Sequence, residues 1–157
     1  MQLKQVNDNF FIADQLGLAD LGPIAAKGIR TLICNRPDSE MAGLPVFAEF
    51  SQRAAELHLT IHYLPVVHAT INSHDVRNFT ALLQAGPAPV LAWCRSGQRS
   101  LTLWSLSRIQ QGDDSAAVLS QAATVGFDFR SLPGNFAGVI TELTTGSGHL
   151  PPARKPA

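Results

Sequence analysis

The chain has 157 residues, 45% of them hydrophobic, and its twelve basic and twelve acidic side chains cancel. That length is enough for one domain with a sizeable core and no metal or disulfide staple, and the balanced charge offers no global field for nucleic acid or an anionic membrane. Two cysteines, Cys34 and Cys94, make neither a disulfide framework nor a metal-ligand spacing, so no metal and no cofactor is expected.

The start Met1-Gln2-Leu3-Lys4-Gln5 is polar and lacks the apolar stretch of a secretion signal. No apolar run is long enough to span a bilayer, and a reducing, cytoplasmic setting is the expectation. The first predicted strand is Phe10 to Ala13, entered from the turn-forming Asn7-Asp8-Asn9. A helix follows from Leu18 to Lys27 on the spacing of Leu18, Leu21, Ile24 and Ala25, with Gly28 to stop it. Ile29 to Cys34 reads as the second strand, and strand, helix, glycine, strand is the order that builds a parallel crossover.

The polar loop Asn35-Arg36-Pro37-Asp38-Ser39-Glu40 leaves the carboxyl end of that strand, the edge where open α/β sheets hold ligands. Arg36 and Asp38 are candidates for the border of a site there. Val46 to Leu57 is a predicted helix striped by Phe47, Phe50, Ala54 and Leu57. A third strand runs from Thr60 to Val67 with Pro65 inside it, and a helix capped by Asn72 or Ser73 carries Val76, Phe79, Leu82 and Leu83 to Gly86. Val90 to Trp93 is the fourth strand, and the helix after it, apolar nearly all round, belongs in the middle of the domain. A short helix from Ala116 to Thr124 and an irregular helical stretch from Phe127 to Leu143, broken at Pro133-Gly134, complete a single domain over residues 1–145. The tail 146–157 has no pattern that could bury anything and is expected to be disordered. The fold class is therefore α/β: a small, mainly parallel sheet of about four strands flanked by helices.

The chemistry concentrates in Cys94-Arg95-Ser96-Gly97-Gln98-Arg99-Ser100, where a buried strand breaks into a polar loop and resumes as a helix beginning near Ser100. Cys94 stands at the carboxyl end of the strand, Gly97 lets backbone N–H groups turn inward, and the helix aims its positive end at the same place. A structural cysteine has no use for two guanidinium groups and a glycine hinge, whereas surroundings of that kind favour a nucleophilic thiolate. Cys94 and Arg99 are the candidate catalytic pair. Arg95, Ser96, Gly97, Gln98 and Ser100 are candidate anion-binding residues, with Ser100 either hydrogen-bonding the sulfur or capping the helix.

Alternating strands and helices with a cysteine-led loop ahead of a buried helix look like the fold of cysteine-dependent phosphatases, especially the small dual-specificity kind. More closely, Ile-Cys-Asn-Arg-Pro-Asp, then Tyr-Leu-Pro-Val, then Cys-Arg-Ser-Gly-Gln-Arg-Ser-Leu-Thr-Leu-Trp resembles a bacterial family variously called beta-lactamase hydrolase-like, phosphatase or sulfur transferase. The resemblance spans about residues 5 to 130. It leaves the reaction open. The tyrosine-phosphatase pattern has five residues between its Cys and Arg, and here Cys94 and Arg99 are separated by four, as in the Cys-Arg-x-Gly-x-Arg loop that rhodanese-type sulfurtransferases resemble.

A phosphatase of this type also carries an Asp general acid on an earlier loop, and Tyr63 to Asn72 contains no carboxylate. Proton transfer to a leaving oxygen is worth about 10²–10⁴ in rate, and His68 is the candidate to supply it. Sulfur transfer needs no such acid. The expected enzyme is therefore a cysteine-thiolate group-transfer enzyme, with persulfide sulfur transfer ahead of phosphoester hydrolysis. Its partners would be a small anionic substrate (thiosulfate, a persulfide or a phosphoester) and a thiol acceptor, with no nucleic acid or membrane. A third reading is a non-catalytic anion-binding or redox-sensing module in which Cys34 resolves Cys94.

Overall fold

In the computed structural model, described over residues 1–127 and 136–144, a five-stranded sheet divides two hydrophobic clusters. The strands are β1 (Leu3–Asn7), β2 (Phe10–Ala13), β3 (Thr31–Cys34), β4 (Thr60–Tyr63) and β5 (Val90–Trp93), in the spatial order β1-β2-β5-β3-β4. All pairs are parallel except the β1–β2 hairpin. β5 lies at the centre, with Trp93 in register with Ala13 on one side and Cys34 on the other. A strand flanked on both edges and covered on both faces is wholly apolar, as Val90-Leu91-Ala92-Trp93 is.

The fifth strand, β1, is an addition to the four read from the sequence. It is an edge strand with only Val6 buried, so its stability comes from backbone pairing with β2 and it carries little hydrophobic signal. β4 is shorter than the predicted 60–67 segment. Beyond Tyr63 the chain leaves the ladder at Pro65, which has no N–H, while Leu64 and Val66 still donate to the carbonyls of Cys34 and Asn35.

Strand alternation sends Leu32, Cys34, Leu91 and Trp93 to one face, under α1 (Leu21–Ala26) and α2 (Phe47–Glu56). Phe10, Ile12, Ile33, Val90 and Ala92 go to the other, under α3 (Ser73–Ala85), α4 (Gln98–Gln110), α5 (Ser115–Thr124) and α6 (Phe136–Thr144). α4 packs against α3, α5 and α6 together, which is why hydrophobic and small hydroxyl residues surround it. Thr80 of α3 meets Ser107 and Gln110 of α4 in a buried hydroxyl cluster that satisfies these polar groups inside the helix layer.

Helix starts follow local chemistry. Asn72 accepts from the Asp75 N–H and Asp75 accepts from the Asn72 N–H, a reciprocal cap for α3, and Asp114 caps α5. Of the predicted 127–143 helical stretch, Phe136–Thr144 is α6; Pro133-Gly134 and the 146–157 tail lie outside the described residues.

Candidate active site

The carboxyl ends of β2, β5 and β3 bring three loops to one edge, with Cys94 at the middle. Cys94 N–H reaches the Ala13 carbonyl at 3.4 Å, Gln15 N–H reaches the Arg95 carbonyl at 3.1 Å, and Asn35 N–H reaches the Trp93 carbonyl at 2.8 Å. The cysteine loop is thus braced from both neighbouring strands before any side chain acts.

Gly97 makes the turn. Its φ of 93° is left-handed, the region that L side chains avoid, and it is the N-cap of α4. In this conformation its N–H points back to the Cys94 sulfur at 3.1 Å. The helix begins at Gln98, two residues earlier than the predicted start, because the left-handed turn is completed at Gly97. Among the described residues no acceptor takes the N–H groups of Arg95, Ser96, Arg99 or Ser100. A run of unpaired N–H donors around a turn into a helix is an anion-binding concavity.

Cys94 is buried, and Arg99 lies beside its sulfur. Arg99 is held on two sides. Its Nη1 donates to Glu40 Oε1 at 2.6 Å and to the Val66 carbonyl at 3.0 Å, and its Nη2 donates to Glu40 Oε2 at 2.8 Å. These three bonds leave the Nε–H and the second Nη2–H, the two parallel donors on one edge of the guanidinium, for the Cys94 sulfur, with which the Arg99 side chain also hydrogen-bonds, and for a ligand beside it. That edge is the geometry that grips two oxygens of a tetrahedral anion. The same ion pair holds the Glu40 carboxyl below its ordinary range.

The remaining candidates separate. Ser100 neither caps the helix nor bonds the sulfur: the helix has already begun, and its hydroxyl donates to Asn35 Oδ1 at 2.8 Å. Asn35 also donates to the Leu64 carbonyl at 2.9 Å, so one buried amide ties β3, the chain after β4 and α4 together. Ser96 Oγ accepts from the Gln98 N–H at 3.3 Å, while Arg95 and Ser96 are exposed at the mouth. His68 stands on a single turn, His68–Thr70, with Nε2 3.4 Å from Thr102 Oγ1 of α4. Partial burial and the Arg99 charge lower its pKa.

On the loop after β3 the two residues read as a site border face elsewhere. Asp38 accepts from the Phe47 N–H and serves the start of α2, and Arg36 is buried with its Nη2 on the Pro45 carbonyl. The site contact is made by Glu40, which sequence reasoning did not single out. Its signal was weak: an acid on a loop that leaves the same sheet edge as the cysteine loop. Cys34 points to the α1–α2 face, donates to the Arg36 carbonyl at 3.5 Å and has its pKa pushed up to about 11 by burial, so it remains a neutral thiol. No group of three or more metal-ligating side chains occurs among the described residues.

Residues 2–111 match the phosphatase-like domain of the beta-lactamase hydrolase-like proteins. The chain belongs to that family. This phosphatase-like domain is 32% identical over 133 residues to the beta-lactamase hydrolase-like protein of Agrobacterium fabrum, covering 82% of the chain and 30% of that protein. The chain therefore spans less than a third of that relative's length. It superposes with a TM-score of 0.76 at 33% identity on a crystal structure of a "putative phosphatase" from Neisseria meningitidis, covering 87% of this chain and 96% of the other. P. aeruginosa TpbA, in a complex with pTyr, shares the fold with a TM-score of 0.64 at 17% identity over 88% of this chain and 82% of its own. The phosphatase-like domain is thus of the cysteine-phosphatase type in fold, with phosphatase-described neighbours, and the rhodanese-type framing finds no support among them. No helix among the described residues is long and apolar enough to cross a membrane.

Proposed function

We propose that this domain is a cysteine-dependent hydrolase of phosphate monoesters, with Cys94 as nucleophile, which puts hydrolysis ahead of the sulfur transfer expected from loop length. The observation that carries this reading is the Arg99 guanidinium held against the Cys94 sulfur. Glu40 and the Val66 carbonyl fix the guanidinium so that its two remaining parallel donors stand beside the sulfur. The free N–H groups of Arg95, Ser96, Arg99 and Ser100 would hold the other phosphoryl oxygens, where charge builds during transfer.

The Cys94 thiolate attacks phosphorus in line with the ester oxygen. The S–P bond forms, the P–O bond to the organic group breaks, and the leaving oxygen takes a proton from the His68 imidazolium. Water then attacks the phosphocysteine, neutral His68 accepts its proton, and the thiolate leaves with the S–P electron pair. Arg95, exposed at the mouth, draws the anion in.

One observation favours a second reading. Only four residues separate Cys94 and Arg99, one fewer than in the tyrosine-phosphatase pattern. In that reading Cys94 attacks the sulfane sulfur of thiosulfate, sulfite leaves with the S–S pair, and a thiol acceptor takes the sulfur from the Cys94 persulfide.

Two measurements on one preparation separate the readings: phosphate release from an aryl phosphate, and intact mass after exposure to thiosulfate, each with Cys94→Ser alongside. Hydrolysis lost in Cys94→Ser, with no sulfur gained, is the expected result. A gain of one sulfur atom by the parent alone, without hydrolysis, would replace the phosphoester reading with sulfur transfer.

A further inference from the structure

The phosphoester reading leaves open what the phosphate is attached to, and the two loops that hold Arg99 bear on this. Among the described residues the exposed large hydrophobic side chains are Met1 at the terminus and four others: Met41 (37%), Val46 (40%), Tyr63 (38%) and Val67 (56%). Met41 and Val67 lie on the loops that clamp the guanidinium, and Val46 and Tyr63 stand where those loops meet α2 and β4. Met41 directly follows Glu40, and Val67 directly follows Val66, the two acceptors of Arg99. Tyr63 accepts the Asp38 N–H at its hydroxyl, and its ring stacks on Phe47, next to Val46, with centroids 4.8 Å apart. The hydrogen bonds that orient Arg99 therefore fix the backbone on which the exposed Met41 and Val67 stand, each next in the chain to one of its acceptors.

Charge at the same edge points the same way. The loops that leave β2, β3 and β5 there, with the segment 64–72, carry Arg36, Arg95 and the first-turn Arg99, against Asp14, Asp20, Asp38 and Glu40. Arg36 is buried and Arg99 is paired with Glu40, which leaves Arg95 as the exposed arginine. A substrate with several phosphates needs a cluster of free cations around its remaining charges, and among the described residues this edge carries none. A monoester with an apolar body needs one oxyanion grip with a hydrophobic rim beside it.

We infer that the site selects phosphate monoesters whose organic group is apolar, aryl or alkyl, over polyol and polyphosphate esters, with Met41 and Val67 as specificity-determining residues. This rests on the phosphoester reading, and its test uses binding so that the two can fail separately. Titration calorimetry on Cys94→Ser would compare phenylphosphonate, glycerol 3-phosphate and inositol hexakisphosphate.

The expected result is phenylphosphonate tighter than glycerol 3-phosphate by about tenfold or more, the scale of discrimination an apolar contact provides. M41S/V67S in the same background, checked for folding by circular dichroism, would lose most of that preference and keep the glycerol 3-phosphate affinity. Equal affinities, or tightest binding of inositol hexakisphosphate, would overturn the apolar rim and leave the oxyanion grip standing. If none of the three binds, the oxyanion grip fails, and the proposed function and this inference fall together.

Discussion

Arg99 is useful to an anion only because Glu40 and Val66 have already used its other donors. A free arginine samples many rotamers, whereas this one is fixed by three hydrogen bonds before a ligand arrives. Replacing Glu40 by Gln keeps the shape but removes the charge and one good acceptor. The expected effect is a fall in kcat/KM of up to about 100-fold, the scale of misplacing a reacting group by about an ångström, with secondary structure unchanged by circular dichroism. Gln in place of Glu40 leaving kcat/KM untouched would show that Arg99 orients itself.

The Glu40 pKa is depressed from its ordinary 4.5 chiefly by its bonds to Arg99, so the fold gains stability above the usual carboxylate range. That stability is lost as pH falls through the lowered value. His68 is also shifted down, but for an imidazole that disfavours the charged form. Burial first, and then the Arg99 charge, disfavour its imidazolium, so its folded pKa lies below the ordinary 6.5. If His68 supplies the proton, kcat declines as pH rises through a value below 6.5, and His68→Asn flattens that limb. A decline above pH 7 that survives the substitution would remove His68 from the proposed chemistry.

At the scale of elements, the site depends on the junction of β5 with α4 and on the cross-brace at Asn35. Gly97 holds a left-handed turn with φ of 93°, and a Cβ there would lie 3.5 Å from the Ala13 carbonyl oxygen. Space is therefore sufficient and the backbone is the obstacle. Gly97→Ala should cost about 1–2 kcal/mol in urea unfolding, the price of left-handed backbone for an L residue. Asn35 presents the other case, in which the contact matters and the backbone does not. Asn35→Ala orphans the Leu64 carbonyl and the Ser100 hydroxyl, at about 1–3 kcal/mol for each buried group left unpaired. The urea midpoint should fall in proportion, and near-wild-type stability would mean that water replaces the amide.

The same scale explains what was legible. β5, its loop and α4 are contiguous in sequence, so an apolar run, a glycine and a helical pattern placed Cys94, Gly97 and Arg99 together. The cap of α3 was legible, as Asn72 or Ser73, for the same reason, because the Asn72 side chain and its Asp75 partner are three residues apart. Glu40 was not, because it meets Arg99 across 59 residues of sequence and has no local pattern of its own.

For the whole molecule, the anion site and the fold are thermodynamically linked. The cysteine loop is braced by β2 and β3, and Arg99 joins the loops after β3 and β4. A ligand that binds this assembled edge and not the unfolded chain adds about 2.7 kcal/mol at one hundred times its Kd. Phosphate or vanadate should therefore raise the Tm of the wild-type domain and do so much less in Arg99→Met. An equal rise in both proteins would place the anion elsewhere.

What the sequence by itself determined is everything whose cause is local: the alternation of parallel strands and helices, the apolar central strand, and a cysteine loop entering a helix through a glycine. Periodicity, capping and turn chemistry act over a few residues, and they can be read without knowing what lies across the sheet. Tertiary structure decided the rest. It added the β1 edge strand, whose pairing is carried by backbone, and turned Asp38 toward α2. It gave Ser100 to Asn35 and brought Glu40 to Arg99. The last two are pairings between polar groups 65 and 59 residues apart, and none of the four carries a hydrophobic pattern to announce which partner the fold will bring within reach.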